Sequence, residues 1–137
     1  MTASRKKGSN GTRGQRWLLW LGGGAGLVLL VIGLRFLIVP EAATRTFGLG
    51  ARPDAAALDA VIGLRDLWLA GLALAFAFLR EWRALALWLL LGAGVCAGDA
   101  VIVARHGGPG LALAFHSVSG VVCAVAGWLC WRRAAQL

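Results

Sequence analysis

The sequence predicts an all-α integral membrane protein, a four-helix up-down-up-down bundle with both termini in the cytoplasm. Three observations predict it. First, hydrophobic residues make up 59% and charged residues 15% of the 137 residues, against roughly half apolar and a quarter charged in a soluble domain. Second, four apolar runs, at about 17–39, 56–79, 84–104 and 111–131, each reach the roughly 20 residues that span a hydrocarbon core of about 30 Å. Third, Arg5, Lys6, Lys7, Arg13, Arg16, Arg80, Arg83, Arg132 and Arg133 fall on one side of those runs. Arg45, Arg52 and Arg105 fall on the other, and the side richer in cations is the cytoplasmic one. Helices are the expected spanning form because lipid offers no partner to an open backbone group, and no stretch alternates with the period of two that a membrane barrel requires.

Residues 1–16, including "SRKKGSNGTRGQR", read as a disordered basic cytoplasmic tail. The apolar run that follows is longer than the roughly 7 to 15 residues of a signal-peptide core, so it reads as a retained anchor. From 17 to 137 the chain forms one transmembrane domain. The longest connection is "PEAATRTFGLGARPD", residues 40–54. Pro40 closes the first helix, a short interfacial helix fits 42–47, Gly48 and Gly50 break the loop, and Pro53 with Asp54 starts the second span. "REWR" (80–83) and "RHGGPG" (105–110) are tight turns. Links this short make sequential helices antiparallel neighbours. They leave no room for a soluble catalytic module, so the protein acts within or at the bilayer.

Trp17, Trp20, Trp82, Trp88, Trp128 and Trp131 cluster toward the cytoplasmic ends of the spans, where an indole suits the headgroup level, and Trp68 lies deep. The net charge of +8 is spread along one membrane face without a nucleic-acid-binding motif. Anionic lipid headgroups are therefore the expected partner on that face, and nucleic acid is not. Helices in lipid approach closely where small residues recur at helical spacing. Gly22 with Gly26, Gly94 with Gly98, and the stripe His116, Gly120, Cys123 and Gly127 are the expected contact faces.

Five side chains that can carry charge, Arg35, Arg65, Asp66, Asp99 and His116, are expected well inside the spans. At 1.5 Å per residue they lie about 6 to 14 Å from the outer ends of their helices, all in the outer half of the bilayer. Charges there cost roughly 2.5–3.5 kcal/mol each, so they are expected to pair or to line a cavity. Adjacent helical residues diverge by about 100°, so Arg65 and Asp66 are each expected to find a partner on another helix. The five form a predicted buried polar cluster, two cations against two anions with a titratable histidine beside them. Two readings stay open: the cluster pins four helices in register, or it meets a ligand group or a proton.

His106 falls in an outer turn and is expected to be solvated. Cys96, Cys123 and Cys130 lie in apolar spans without CxxC spacing and read as small buried apolar residues. A metal held by Cys96, Cys123 and His116 is conceivable in soft-ligand terms, but no ligand spacing marks one, and no cofactor or catalytic residue is expected. GxSxG, HExxH, Walker and dinucleotide patterns are absent.

The order "RFLIVPEAATRTFGL" (35–49), "GLRDLWLAGLAL" (63–74), "GDAVIV" (98–103) and "AFHSVSG" (114–120) resembles the bacterial and fungal membrane family known as domain of unknown function DUF4267, from about residue 35 onward. That family is similar to the wider group of small four-helix membrane proteins that includes DoxX-like proteins. The resemblance implies a four-helix bundle and directs attention to Arg35, Pro40, Phe47, Gly63, Arg65, Asp66, Asp99 and His116, without implying a chemistry. Three functional readings follow. The first is a non-enzymatic membrane protein that binds a small amphiphile or a membrane partner through the polar cluster; a homo-oligomer belongs with the third, because four helices enclose little volume. The second is a quinone-contacting membrane subunit of a redox system, by analogy with the DoxX-like group. The third is a small proton-coupled transporter. Arginine far outnumbers lysine, which suggests a GC-rich bacterial genome and hence the plasma membrane.

Overall fold

The computed structural model describes residues 10–49 and 55–136. These form five helices: α1 (Asn10–Ile38), α2 (Pro40–Phe47), α3 (Ala56–Leu79), α4 (Trp82–Arg105) and α5 (Gly110–Ala134). All but α2 are long and apolar enough to cross a membrane, so the fold is all-α and the protein is a multi-pass membrane protein. The expected second span matches α3 at both ends, whereas α4 and α5 each extend past their expected limits. The largest departure is at α1, which begins at Asn10, inside the segment expected to be a disordered tail. A helix nucleated in an apolar span propagates outward at one backbone hydrogen bond per residue, even through polar sequence. Residues 1–9, and the Pro53–Asp54 start expected for the second span, lie outside the described residues.

Pro40 separates α1 from α2. It occupies the first turn of α2, where its missing N–H costs nothing. The short interfacial helix expected at 42–47 is thus present and slightly longer. Gly48 ends it in the left-handed region, at φ 105°. The Gly48 amide donates to Arg45 O (3.1 Å) and the Leu49 amide to Thr44 O (3.2 Å), a Schellman closure. Space requires glycine here as well, because a Cβ would stand 2.8 Å from the Ala112 Cβ.

α1 packs along α3, and α4 along α5, while contacts between these two hairpins are much sparser. On α3 the buried residues are Asp59, Gly63, Asp66, Ala70, Ala73 and Ala77. They alternate four and three apart, the spacing of a seam facing one neighbour. Because the seam is built of small side chains, the backbones nearly touch. A Cβ on Gly33 would lie 2.8 Å from Gly63 O, and one on Gly63 2.8 Å from Gly33 O. Gly26 sits against Ala70 and Leu74 in the same antiparallel register.

The expected stripe on α5 does face its neighbour. Gly127 abuts Ala86 and Leu90, and Gly120 abuts Ala93 and Cys96. Gly22 meets Leu85 of α4 rather than sharing a partner with Gly26. Gly94 and Gly98, however, meet nothing within 4 Å among the described residues and form no contact face there. Cys96 sits among the packed positions of α4, and Gly94 and Gly98 lie two residues either side of it, about 200° away around the helix.

The bundle is closed best at the α3–α4 turn, where Leu18, Ala77, Trp82, Leu85, Ala86, Leu89, Ala126 and Cys130 form one core. Trp82, expected to meet headgroups, is buried in that core and packs against neighbouring helices instead. The turn itself places Arg80 in the left-handed region at φ 60°, a conformation that costs an L-residue roughly 1–2 kcal/mol and glycine almost nothing. Arg80→Gly is expected to raise the thermal midpoint in detergent slightly. A fall would show that the arginine side chain stabilises this end by more than its backbone strain.

Candidate functional site

At the opposite end, α2 lies across the helices and gathers the polar groups. The imidazole of His116 on α5 is buried and reaches the carbonyl of Phe47, 3.1 Å from Nε2. A carbonyl only accepts, so Nε2 carries the hydrogen and donates it. Phe47 is the last residue of α2, so its carbonyl is one of those a helix end leaves open. A residue sixty-nine positions away thus caps α2. The Phe47 ring meets the imidazole edge-on, with centroids 4.5 Å apart, and Phe115 flanks it at 5.7 Å.

The other imidazole nitrogen faces α4. Nδ1 is 3.8 Å from Asp99 Oδ2, with side-chain exposures of 7% for His116 and 27% for Asp99. This is ion-pair distance, too long for a direct hydrogen bond. With Nε2 committed to Phe47, a neutral imidazole would turn its Nδ1 lone pair toward the carboxylate. The two groups attract as an ion pair whenever the imidazole carries its second proton.

Arg65 and Asp66 correct the expectation that adjacent residues must seek separate partners. Arg65 Nε and Nη2 both donate to Asp66 Oδ1, at 3.1 and 3.0 Å. The 100° divergence of neighbouring Cβ directions is real, but a guanidinium on a long stem curls around the helix to cover it. The pair is asymmetric: the Asp66 side chain is 7% exposed and the Arg65 side chain 58%. Arg65 is therefore not buried. It sits one position off the α3 seam and caps the buried carboxylate from outside. Arg65, Asp66 and His116 all lie within electrostatic reach of Asp99.

Arg35 does not join them. It is exposed, and its Nη2 donates to Thr46 Oγ1 of α2 at 3.1 Å, while that hydroxyl donates to Ala42 O at 2.8 Å. Arg35 lies close to the end of α1, where a long side chain reaches the surface more easily than the interior. The residue that composition-based reasoning passed over is Asp59. It is buried in the first turn of α3, and Thr44 Oγ1 donates to its Oδ1 at 3.2 Å. Its place in the four-three seam with Gly63 and Asp66 was the available signal. His106 is exposed at the neighbouring turn, its Nδ1 2.9 Å from Ile102 O.

Cys96 and Cys123 face each other across the α4–α5 contact. Among the described residues no three His, Cys, Asp or Glu side chains converge as a metal would need, so the Cys96, Cys123 and His116 set does not form one.

A family model described as Domain of unknown function (DUF4267) matches residues 26–130. No curated protein and no solved structure matches the chain significantly. The matched stretch runs from the Gly26 contact of α1 with α3 to Cys130 in the core. It takes in α2, Arg35, the α3 seam and the whole polar cluster, and on that extent the chain belongs to the DUF4267 family.

Proposed function

We propose that this is a membrane-embedded binding protein whose Arg65, Asp66, Asp99 and His116 cluster engages the polar head of a small amphiphile arriving laterally from the bilayer. The observation that carries the reading is the asymmetry of the Arg65–Asp66 pair. Arg65 sits nine residues into α3, about 14 Å at 1.5 Å per residue, yet most of its side chain is open. Among the described residues Asp66 is its hydrogen-bond partner, which leaves guanidinium hydrogens directed outward. A head group with acceptor oxygens supplies what lipid tails do not. Trp68, one turn along and also exposed, offers a flat apolar surface beside it.

A proton-coupled carrier is the second reading, favoured by the Asp99–His116 pair. A carrier that moves a proton needs a titratable side chain beside its binding site, and the imidazole against Asp99 is the one this cluster offers. A quinone would be one amphiphile of the proposed kind, and the DoxX-like likeness adds only an analogy of fold. The excess of arginine over lysine supports a bacterial plasma membrane location, and the uneven distribution of cations supports the α2 end outward.

The test is native mass spectrometry of the protein from mild detergent, with wild type compared against Arg65→Gln and Asp99→Asn. A reproducible adduct carried by wild type and lost from both folded variants is expected, and its mass names the ligand class. An adduct retained by both variants would return the cluster to a purely structural role.

A further inference from the structure

The end of the bundle opposite α2 carries a second feature, independent of the polar cluster. Between the start of α4 and the end of α5 lies a depression of about 290 Å³ lined by Arg83, Trp131, Ala134 and Ala135. Its surroundings are strongly cationic. Arg80 and Arg83 bracket the α3–α4 turn, and Arg132 and Arg133 close α5. Among the described acidic side chains, only Glu81 lies at this end.

These cations are not equally engaged. Arg132 stacks over the Trp128 ring, 4.9 Å from its centroid. The Arg133 Nε hydrogen is buried without an acceptor among the described residues, and so is the indole N–H of Trp88. Neither donor lines the depression, so Arg83 is the cation that faces it. Glu81, at the α4 N-cap position, makes no side-chain capping bond, so the first amides of α4 add to the positive field beside Arg83.

The size and position of the depression select the ligand. Its volume is at or below the lower end of the roughly 300–1,000 Å³ of pockets that enclose a whole small molecule. It can hold a head group while the rest of the molecule lies outside. It opens at the ends of two membrane spans, at the interfacial level where lipid phosphates lie. Leu87, Leu91 and Trp128 are exposed below it and offer acyl chains an apolar surface. After Glu81 is balanced, the cations still outnumber the anions, which favours a net negative head group over a zwitterionic one.

We propose that this depression seats the phosphate of an anionic phospholipid, with Arg83 pairing to the phosphate and Trp131 packing against the glycerol region.

The test exposes the purified full-length protein in detergent to phosphatidylglycerol or phosphatidylcholine of matched chains and counts retained lipid by native mass spectrometry. Wild type is expected to retain phosphatidylglycerol preferentially. Arg83→Gln is expected to lower that retention about fivefold, the factor equivalent to one basic residue at a membrane surface, while Arg83→Lys retains most of it. Arg105→Gln, at the opposite end, is expected to leave retention unchanged. Equal loss in the Arg83 and Arg105 variants would reduce the effect to general charge and overturn the site, as would unchanged retention in Arg83→Gln. Competition by inorganic phosphate at the lipid's own concentration would make this a free-anion site and overturn the lipid assignment.

Discussion

Gly63→Val is expected to be among the most destabilising single substitutions in this protein. A Cβ at residue 63 would meet Gly33 O at 2.8 Å and Leu37 Cγ at 2.9 Å. The leucine can rotate away, but the carbonyl belongs to the backbone of α1, so the two helices must separate. Overpacking in a tight contact costs roughly 1–3 kcal/mol, occasionally more. The upper part of that range applies where backbone must move. Thermal unfolding in detergent reads this as a lowered midpoint, and Gly33→Ala should lower it too, since its Cβ would meet Gly63 O at 2.8 Å. The two costs should combine to less than their sum, because one displacement of α1 relieves both clashes. Gly94→Ala and Gly98→Ala are the contrast: with nothing within 4 Å of either, they should be neutral or gain up to about 1 kcal/mol of helix propensity. If these substitutions destabilise as Gly63→Val does, the α4 face they occupy is covered by a partner.

His116→Leu is expected to release α2. The Phe47 carbonyl loses its donor, and a part-buried acceptor left unpaired costs up to the roughly 1–3 kcal/mol of a fully buried one. Asp99 at the same time loses the imidazole 3.8 Å away. Leucine keeps the volume and the apolar contact with Phe47, so the change isolates the polar contribution. Hydrogen exchange should accelerate at the amides of α2 and of Gly48 and Leu49, while those of the turn-end core stay protected. A double-mutant cycle with Asp99→Asn measures the pair itself. Side chains in one network typically couple by about 0.5–3 kcal/mol, and a coupling near zero would mean that the two groups act separately.

Much of this arrangement was legible in the chain. Four apolar runs of spanning length gave four spanning helices, because in lipid a backbone has no other way to satisfy itself. Pro40 and Gly48 marked both ends of α2, one by lacking an N–H and the other by tolerating a left-handed φ. The burial of Asp66, and of Asp59, followed from the four-three spacing they share with Gly63, Ala70, Ala73 and Ala77. Asp59 shares that spacing but stands near a helix end, where a carboxylate is usually solvated, so its position in the span alone does not mark it as buried.

Side-chain reach was not legible. The angle between Arg65 and Asp66 on a helical wheel argued against their pairing, and a flexible stem overrode it. Arg35 had the right depth for the cluster, but depth alone does not say which way a side chain turns, and Thr46 took it. The small residues told a similar story. Gly94 and Gly98 match the spacing of a close contact as well as Gly120 and Gly127 do, yet only the second pair is covered.

The sequence by itself determined that this chain lies in a membrane, crosses it as helices, carries a short helix between the first two spans, and holds acidic and imidazole groups where charges are costly. Those properties depend on composition and local spacing, which the bilayer reads directly. Only the tertiary structure decided which helices pair and which glycines touch. It also decided that His116 caps α2, and that Arg65 faces outward while its carboxylate stays inside. Those outcomes depend on the rotation of each helix about its axis and on the rotamers of long side chains, and neighbouring helices fix both through contacts that no single segment contains.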